Sequence, residues 1–257
     1  MRGARGLREL LARPGIVVAP GAYDAVSARL VERAGFEAVY IGSYATAAAR
    51  LGLPDTGLLG LHEMADHATS VVGAVERVPV VADAENGFGS ATTVWRTVRE
   101  FERAGVAGVH LEDHEFGKHL PVRGRVLAKA AMAEKIRAAV EARRDPDFVI
   151  IARTDAGWLE GGGGLEDAVD RLPAPICAVD SPGSTVARDE ACGVKLVLYY
   201  ALALYAAYRA VRDALAEFRT GGDAGALRAA RLCDAAEFDA FIGFGRIEAL
   251  ARRHGVA

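Results

Sequence analysis

Seven short runs of β-branched and apolar residues recur along this chain, and almost every one ends in polar or acidic residues. They are GIVVAP (Gly15–Pro20), AVYIGS (Ala38–Ser43), PVVADAE (Pro79–Glu85), GVHLEDHE (Gly108–Glu115), FVIIARTDA (Phe148–Ala156), PICAVD (Pro175–Asp180) and VKLVLYY (Val194–Tyr200). Between them, Asp24–Ala34, His62–Val75, Ala91–Ala104 and Lys129–Ala142 repeat apolar residues at three and four positions, the period of an amphipathic helix. Strand–helix alternation with apolar strands predicts an α/β fold, a parallel sheet covered by helices in a (β/α) barrel of the TIM type. Such a barrel gathers all its strand ends at one mouth, where enzymes of this architecture build their sites. Tyr23, Asp24, Ser43, Asp83, Glu85, Glu112, Asp113, Arg153, Asp155 and Asp180 are therefore expected near that mouth. For any single acid among them, a helix N-cap or a loop position is the alternative.

The count falls one short of the eight strands a barrel of this type uses. The shortfall lies between Ala156 and Pro175, where GWLEGGGGLEDAVDRLPA offers a glycine run and a stub of helix. A length of 257 residues suits a single domain over 1–257. A net charge of −3, a pI near 6.1 and no basic stripe argue against nucleic acid and anionic membrane as partners. Cys177, Cys192 and Cys233 are scattered without metal or redox spacing, as expected of a cytoplasmic protein. The basic N-terminus has too short an apolar run for a signal peptide. Val194–Val211, broken by Lys195 and Arg209, reads as a buried strand running into a core-facing helix. His62, His67 and His254 are expected on helix surfaces, and Trp95, Trp158 and the tyrosines of the last large helix as packing residues.

Four segments carry chemistry. In VVADAENGFG, Asp83 and Glu85 stand two apart at a strand end, which would point both to one side of the pleat. Oxygen donors of that kind suit Mg²⁺, with Mn²⁺ as a substitute. In HLEDHEFGKH, Glu112 would supply a third carboxylate, Lys118 would neutralise enolate charge and His119 would donate a proton. The alternative for that segment is a solvated charged loop. Arg153 offers a planar fork for a carboxylate, or an ion pair holding Asp83 or Glu112. Asp55, in RLGLPDTGLL, is either an acid or base over the substrate or a turn residue after Pro54.

Several ordered stretches together resemble the isocitrate lyase / phosphoenolpyruvate mutase superfamily. These are PGAYDAVSARLVERAGFEAVYIGSYATAAARLGLPDTGLL, DAENGFG, VWRTVREFERAGVAGVHLEDHEF and EARRDPDFVIIARTDA, with FDAFIGFGRIEALARRHG near the end. The resemblance implies a (β/α) barrel that binds Mg²⁺ and stabilises an enolpyruvate-like intermediate. It implies that Asp83 and Glu85 hold the metal, supported by Glu112. Tyr40, Gly42 and Ser43 would bind the substrate carboxylate with Arg153, and Asp55 would lie in a gating segment. It further implies homodimers or homotetramers that exchange C-terminal helices, a part residues 225–257 would supply.

The chain departs from that pattern. Glu85 replaces the second aspartate of the metal motif, and GKHLPVRGR lacks the lyase branch's catalytic cysteine. Lys118 matches only the first residue of the phosphonomutase loop, and Val179 stands in place of an asparagine. One βα unit, with the glutamate of its strand, is absent after Asp170, and closure on seven strands is expected because unpaired edges are liabilities. The leading expectation is a Mg²⁺-dependent lyase that cleaves a C–C bond of a small 2-hydroxy or 2-keto dicarboxylate of the alkylmalate or oxaloacetate type. The alternatives are P–C bond chemistry on phosphoenolpyruvate-like substrates and a degenerate, non-catalytic barrel acting as a binding or assembly subunit.

Overall fold

The computed structural model describes residues 2–114, 126–155, 174–181 and 183–255, and all seven expected strands form in it. They are β1 (Val17–Pro20), β2 (Val39–Ile41), β3 (Val80–Asp83), β4 (Gly108–Glu112), β5 (Val149–Arg153), β6 (Ile176–Val179) and β7 (Val194–Tyr199). Every strand pairing is parallel, in two sheets ordered β2-β3-β4-β5 and β1-β7-β6. A parallel bridge between Gly21 and Tyr40, with Ala22 N–H donating to Tyr40 O at 2.8 Å, joins β1 to β2. The seven strands thus run in the order β6-β7-β1-β2-β3-β4-β5. At the joint, a Cβ on Gly21 would stand 2.4 Å from the Tyr200 carbonyl oxygen, so only glycine allows this approach.

Strand alternation sorts the apolar residues into two cores. Val17, Ala19, Tyr40, Val81, Leu196 and Leu198 form the inner one, joined by Leu7 of α1 (Ala4–Ala12). Arg8 of that helix donates to the carbonyls of Pro146 and Asp147, which sets α1 at the N-terminal ends of the strands. Val39, Ile41, Val80, Ala82, Val109 and Leu111 point outward. They share a second core with Val31 of α2 (Ala25–Arg33), Met64 and Val71 of α4 (Leu61–Ala74), Phe101 of α5 (Ala91–Ala104) and Ala139 of α6 (Lys129–Ala142). Burying side chains of this size stabilises the fold by roughly 1.5–3 kcal/mol each.

Among the described residues the barrel does not close on seven strands as expected: β5 pairs only with β4 and β6 only with β7. The consequence shows in burial: every residue of β2, β3 and β4 is buried, whereas none of β5 or β6 is fully so.

Two further expectations are corrected. The helix after β7, α8 (Leu202–Gly221), is not core-facing, since none of its residues is buried. Its apolar residues Leu202, Tyr205, Tyr208, Val211, Leu215 and Phe218 are exposed, which removes the packing role expected of its tyrosines. Apolar content marked a helix there without specifying what it packs on. His67 is not a surface residue: it sits on the buried face of α4, where burial and the nearby Arg50 hold its pKa low and favour neutral imidazole.

The chain divides into two compact units, residues 1–204 and 205–257. The first carries all the strands, α3 (Ser43–Leu51) and the short α7 (Val186–Ala191). The second holds the rest of α8 with α9 (Ala224–Arg231), α10 (Ala235–Ile242) and α11 (Phe244–Arg253). Within it Arg231 pairs with Glu217 at 2.6 Å and Phe238 packs on Phe241. No described helix is long and apolar enough to cross a membrane.

Candidate active site

Asp83 ends β3 with its carboxylate surrounded by donors. Oδ2 accepts from the Ser43 hydroxyl at 2.8 Å and the Ser43 N–H at 3.2 Å, and Oδ1 accepts from the Glu85 N–H at 2.8 Å. Gly42 caps α3, so Ser43 opens the helix and its dipole favours the anion. The Ser43 hydroxyl also lies 3.1 Å from Oδ2 of Asp55, a buried residue of the irregular stretch between α3 and α4. Asp55, Ser43 and Asp83 therefore form one buried cluster, although Asp55 lies 28 positions before Asp83 in the chain.

Glu85 departs from the pleat argument. The strand stops at Asp83, and Glu85 and Phe88 take left-handed backbone angles, with φ of 52° and 57°. Each such residue costs roughly 1–2 kcal/mol outside glycine. Gly87, at φ 80°, has no room for more, since a Cβ there would lie 2.3 Å from the Val94 side chain. Asp83, His110 and Glu112 offer ligand atoms within 4.8 Å of one another, as do Glu112, His114 and Asp155. Glu85 is buried beside them, its carbonyl accepting from the Glu112 N–H at 2.8 Å, but its carboxylate belongs to neither group.

Glu112 ends β4 opposite Arg153 of β5. Arg153 reaches Glu112 at 2.6 Å and Asp155 at 3.0 Å, and His114 reaches the same two acids at 3.0 and 2.7 Å. Two cations and two anions thus alternate in a closed ring. Burial works against charge on His114, but the hydrogen bonds to Asp155 and Glu112 prevail and hold its pKa at about 9. Burial likewise disfavours charge on Asp155, yet His114 and Arg153 bring it down to about 2. His114, Arg153 and Asp155 are therefore charged at neutral pH. The carboxylates of Asp83 and Glu112, with ligand atoms within 4.8 Å, are the hard oxygen donors grouped here, rather than the charged His114.

Tyr40 lies beneath this layer. It is fully buried, stacks on His110 and shares a 2.8 Å hydrogen bond with His110 Nε2. Burial, with Asp83 adding to it, pushes the phenol pKa well up. Other strand-end acids are structural. Asp24 caps α2 in a box with Ser27, Asp113 accepts from Thr154 and from the Asp155 N–H, and Asp180 accepts from the Tyr200 N–H. Trp95 is exposed beneath the stacked Arg99, and His62 accepts from Arg96. Lys118, His119 and Trp158 lie outside the described residues. Sequence reasoning passed over His114, and also Lys135, a buried lysine on α6 that donates to Asn86 O at 2.8 Å. Its signal was present, because Lys135 stands on the apolar stripe of Met132, Ile136 and Ala139.

Residues 7–178 match the model of the phosphoenolpyruvate phosphomutase family. The chain belongs to that family. It is 45% identical over 191 residues to 2,3-dimethylmalate lyase of Eubacterium barkeri, a match covering 71% of this chain and 64% of that enzyme's length. It is 36% identical over 248 residues to oxaloacetate decarboxylase of Pseudomonas fluorescens, covering 84% of each. Among solved structures it resembles phosphoenolpyruvate phosphomutase from Streptomyces platensis subsp. rosaceus, with TM-score 0.88, 30% identity and coverage of 98% of this chain and 99% of that one. It also resembles a phosphonopyruvate hydrolase in complex with oxalate and Mg²⁺, with TM-score 0.84, 27% identity and coverage of 98% and 99%. The fold of these relatives is a TIM-type barrel.

Proposed function

We propose that this family member is a Mg²⁺-dependent lyase that cleaves a C–C bond of a small 2-hydroxy or 2-keto dicarboxylate through an enolpyruvate-like intermediate. The observation that carries the reading is the buried grouping of Asp83 and Glu112, with ligand atoms within 4.8 Å, beside an ionised Arg153 and the N-terminus of α3. The donor set fits a hard cation, since Asp83 and Glu112 bring carboxylate oxygens together in a site screened from water, with Glu85 buried next to them in the chain after Asp83. Bound there, Mg²⁺ would supply Lewis-acid polarisation of the substrate's keto or hydroxyl oxygen.

The chain's own residues do the remaining work. Arg153, fixed in direction by Glu112 and Asp155, would receive one substrate carboxylate together with the backbone at Gly42, while the Ser43 N–H is given to Asp83. Ser43 also ties Asp55 to Asp83, which sets Asp55 to hold or return a proton. Tyr40 acts from below by fixing His110. Lys118 and His119 complete the set as charge-neutralising and proton-donating residues. In the oxaloacetate-type reaction the C3–carboxylate bond breaks and CO₂ leaves. The electron pair stays on C3 as the enolate, and one proton returns to C3.

The test is proton exchange at C3 of pyruvate, followed by NMR in deuterated water. Mg²⁺-dependent exchange supports the reading, and folded protein without exchange overturns it. The likeness to a phosphoenolpyruvate phosphomutase over nearly the whole chain favours P–C chemistry as the second reading. Phosphorus NMR with phosphoenolpyruvate decides between them, because only that chemistry yields phosphonopyruvate. The exposed apolar residues on α8 and within residues 225–257 support a homodimer or homotetramer that exchanges C-terminal helices.

A further inference from the structure

The strained loop after Asp83 is held through three successive carbonyls, each by a different element. Glu85 O accepts from the Glu112 N–H of β4 at 2.8 Å, Asn86 O from Lys135 Nζ of α6 at 2.8 Å, and Gly87 O from the Thr97 hydroxyl of α5 at 3.1 Å. Left-handed residues such as Glu85 and Phe88 persist only where their surroundings over-determine them. Lys135 is the one charged donor among the three, and its side chain is buried. Asn86 extends the link at both ends of its amide. Its Oδ1 accepts from the Phe88 N–H at 3.0 Å, and its Nδ2 donates to His114 O at 3.3 Å.

A buried lysine is an unusual way to satisfy one backbone carbonyl. Burial lowers its pKa, so the ammonium sits there at a cost that a neutral donor would avoid. What distinguishes the position is the loop it holds, which carries the acid that departs from the strand pleat.

We propose that Lys135 is a positioning residue for the candidate cation site, fixing the Glu85–Phe88 backbone, and with it the Glu85 carboxylate, through its bond to Asn86 O. The inference rests on the reading of Asp83, Glu85 and Glu112 as the cation-binding set. It deepens that reading by assigning the site's geometry to a side chain from α6.

The test is Mn²⁺ binding to the full chain, read by the loss of the free-ion electron paramagnetic resonance signal. Lys135→Met keeps the volume and removes the donor. It is expected to weaken Mn²⁺ about 10–100-fold, the usual range for an outer-shell partner, with an unchanged circular dichroism spectrum. Lys135→Arg restores a charged donor and is expected to recover most of the loss. Lys135→Gln shortens the arm and removes the charge. It is expected to lose at least about fivefold and carries the test if the methionine variant does not fold. Affinity within about twofold of the parent in the folded Met or Gln variant overturns the inference and leaves the metal reading standing. A parent chain that binds no Mn²⁺ overturns the metal reading, and the inference with it.

Discussion

The arc from β2 to β4 and the flank formed by β5 and β6 are built from the same kind of sequence and end up in different states. Along the arc every strand residue is buried, and at its mouth Ser43 pairs with Asp83 while Arg153 and His114 pair with Glu112. Along the flank, Val149–Arg153 and Ile176–Val179 are only partly buried, and among the described residues each strand pairs on one side. An apolar run specifies a strand, but its burial depends on a neighbour that some other part of the chain must supply. The functional cluster sits on the side where all neighbours are present, and Arg153 reaches it from the first strand of the incomplete side.

The difference can be tested by unequal responses to truncation. Phe101→Ala, behind the arc, is expected to destabilise the protein by about 3–5 kcal/mol in urea titration. Ile176→Ala, on the flank, should cost about 1–2 kcal/mol, because part of that surface already meets solvent. Equal losses would mean that the flank is as well packed as the arc.

The charge ring spans the two regions and gives a pH signature. His114 has a folded pKa of about 9 against an ordinary value near 6.5. Its contribution is therefore complete below the unfolded value and is lost as pH rises through about 9. The full amount is on the order of 3 kcal/mol. His114→Gln should flatten stability between those limits in chelator-treated protein, and an unchanged slope would break the ring as described. The smallest effect is expected away from the apolar residues of α8, where Arg228→Ala, at an exposed position of α9, should leave unfolding within about 0.5 kcal/mol.

Much of this was legible in the residues because local signals decided it. All seven strands fell where β-branched runs predicted them, and Ala91–Ala104 and Lys129–Ala142 matched their helices residue for residue. Asp24 was visible as a strand-end acid for which a helix N-cap was the alternative, and the structure makes it the cap of α2; its partner Ser27 comes from the fold. What sequence could not decide depended on distant partners. The bend at Glu85 comes from a loop clamped by β4, α5 and α6, and the pleat rule has no access to that. His114 gained its charge from Asp155, which is 41 positions further along the chain. The core-facing role expected of α8 failed because hydrophobic content does not name a partner surface.

At the mouth itself, Asp83→Asn should abolish Mg²⁺-dependent C3 proton exchange. Asp180→Asn, on the flank, should retain most of it, since Asp180 serves the Tyr200 N–H. Comparable losses in the two variants would erase the functional side of the comparison.

The most direct measurement is calorimetric titration of oxalate, an enolate mimic, into the full chain with and without Mg²⁺. The account predicts binding that requires the cation and disappears in Asp83→Ala. Oxalate binding of equal strength without Mg²⁺, or no binding in either condition by folded protein, would contradict it.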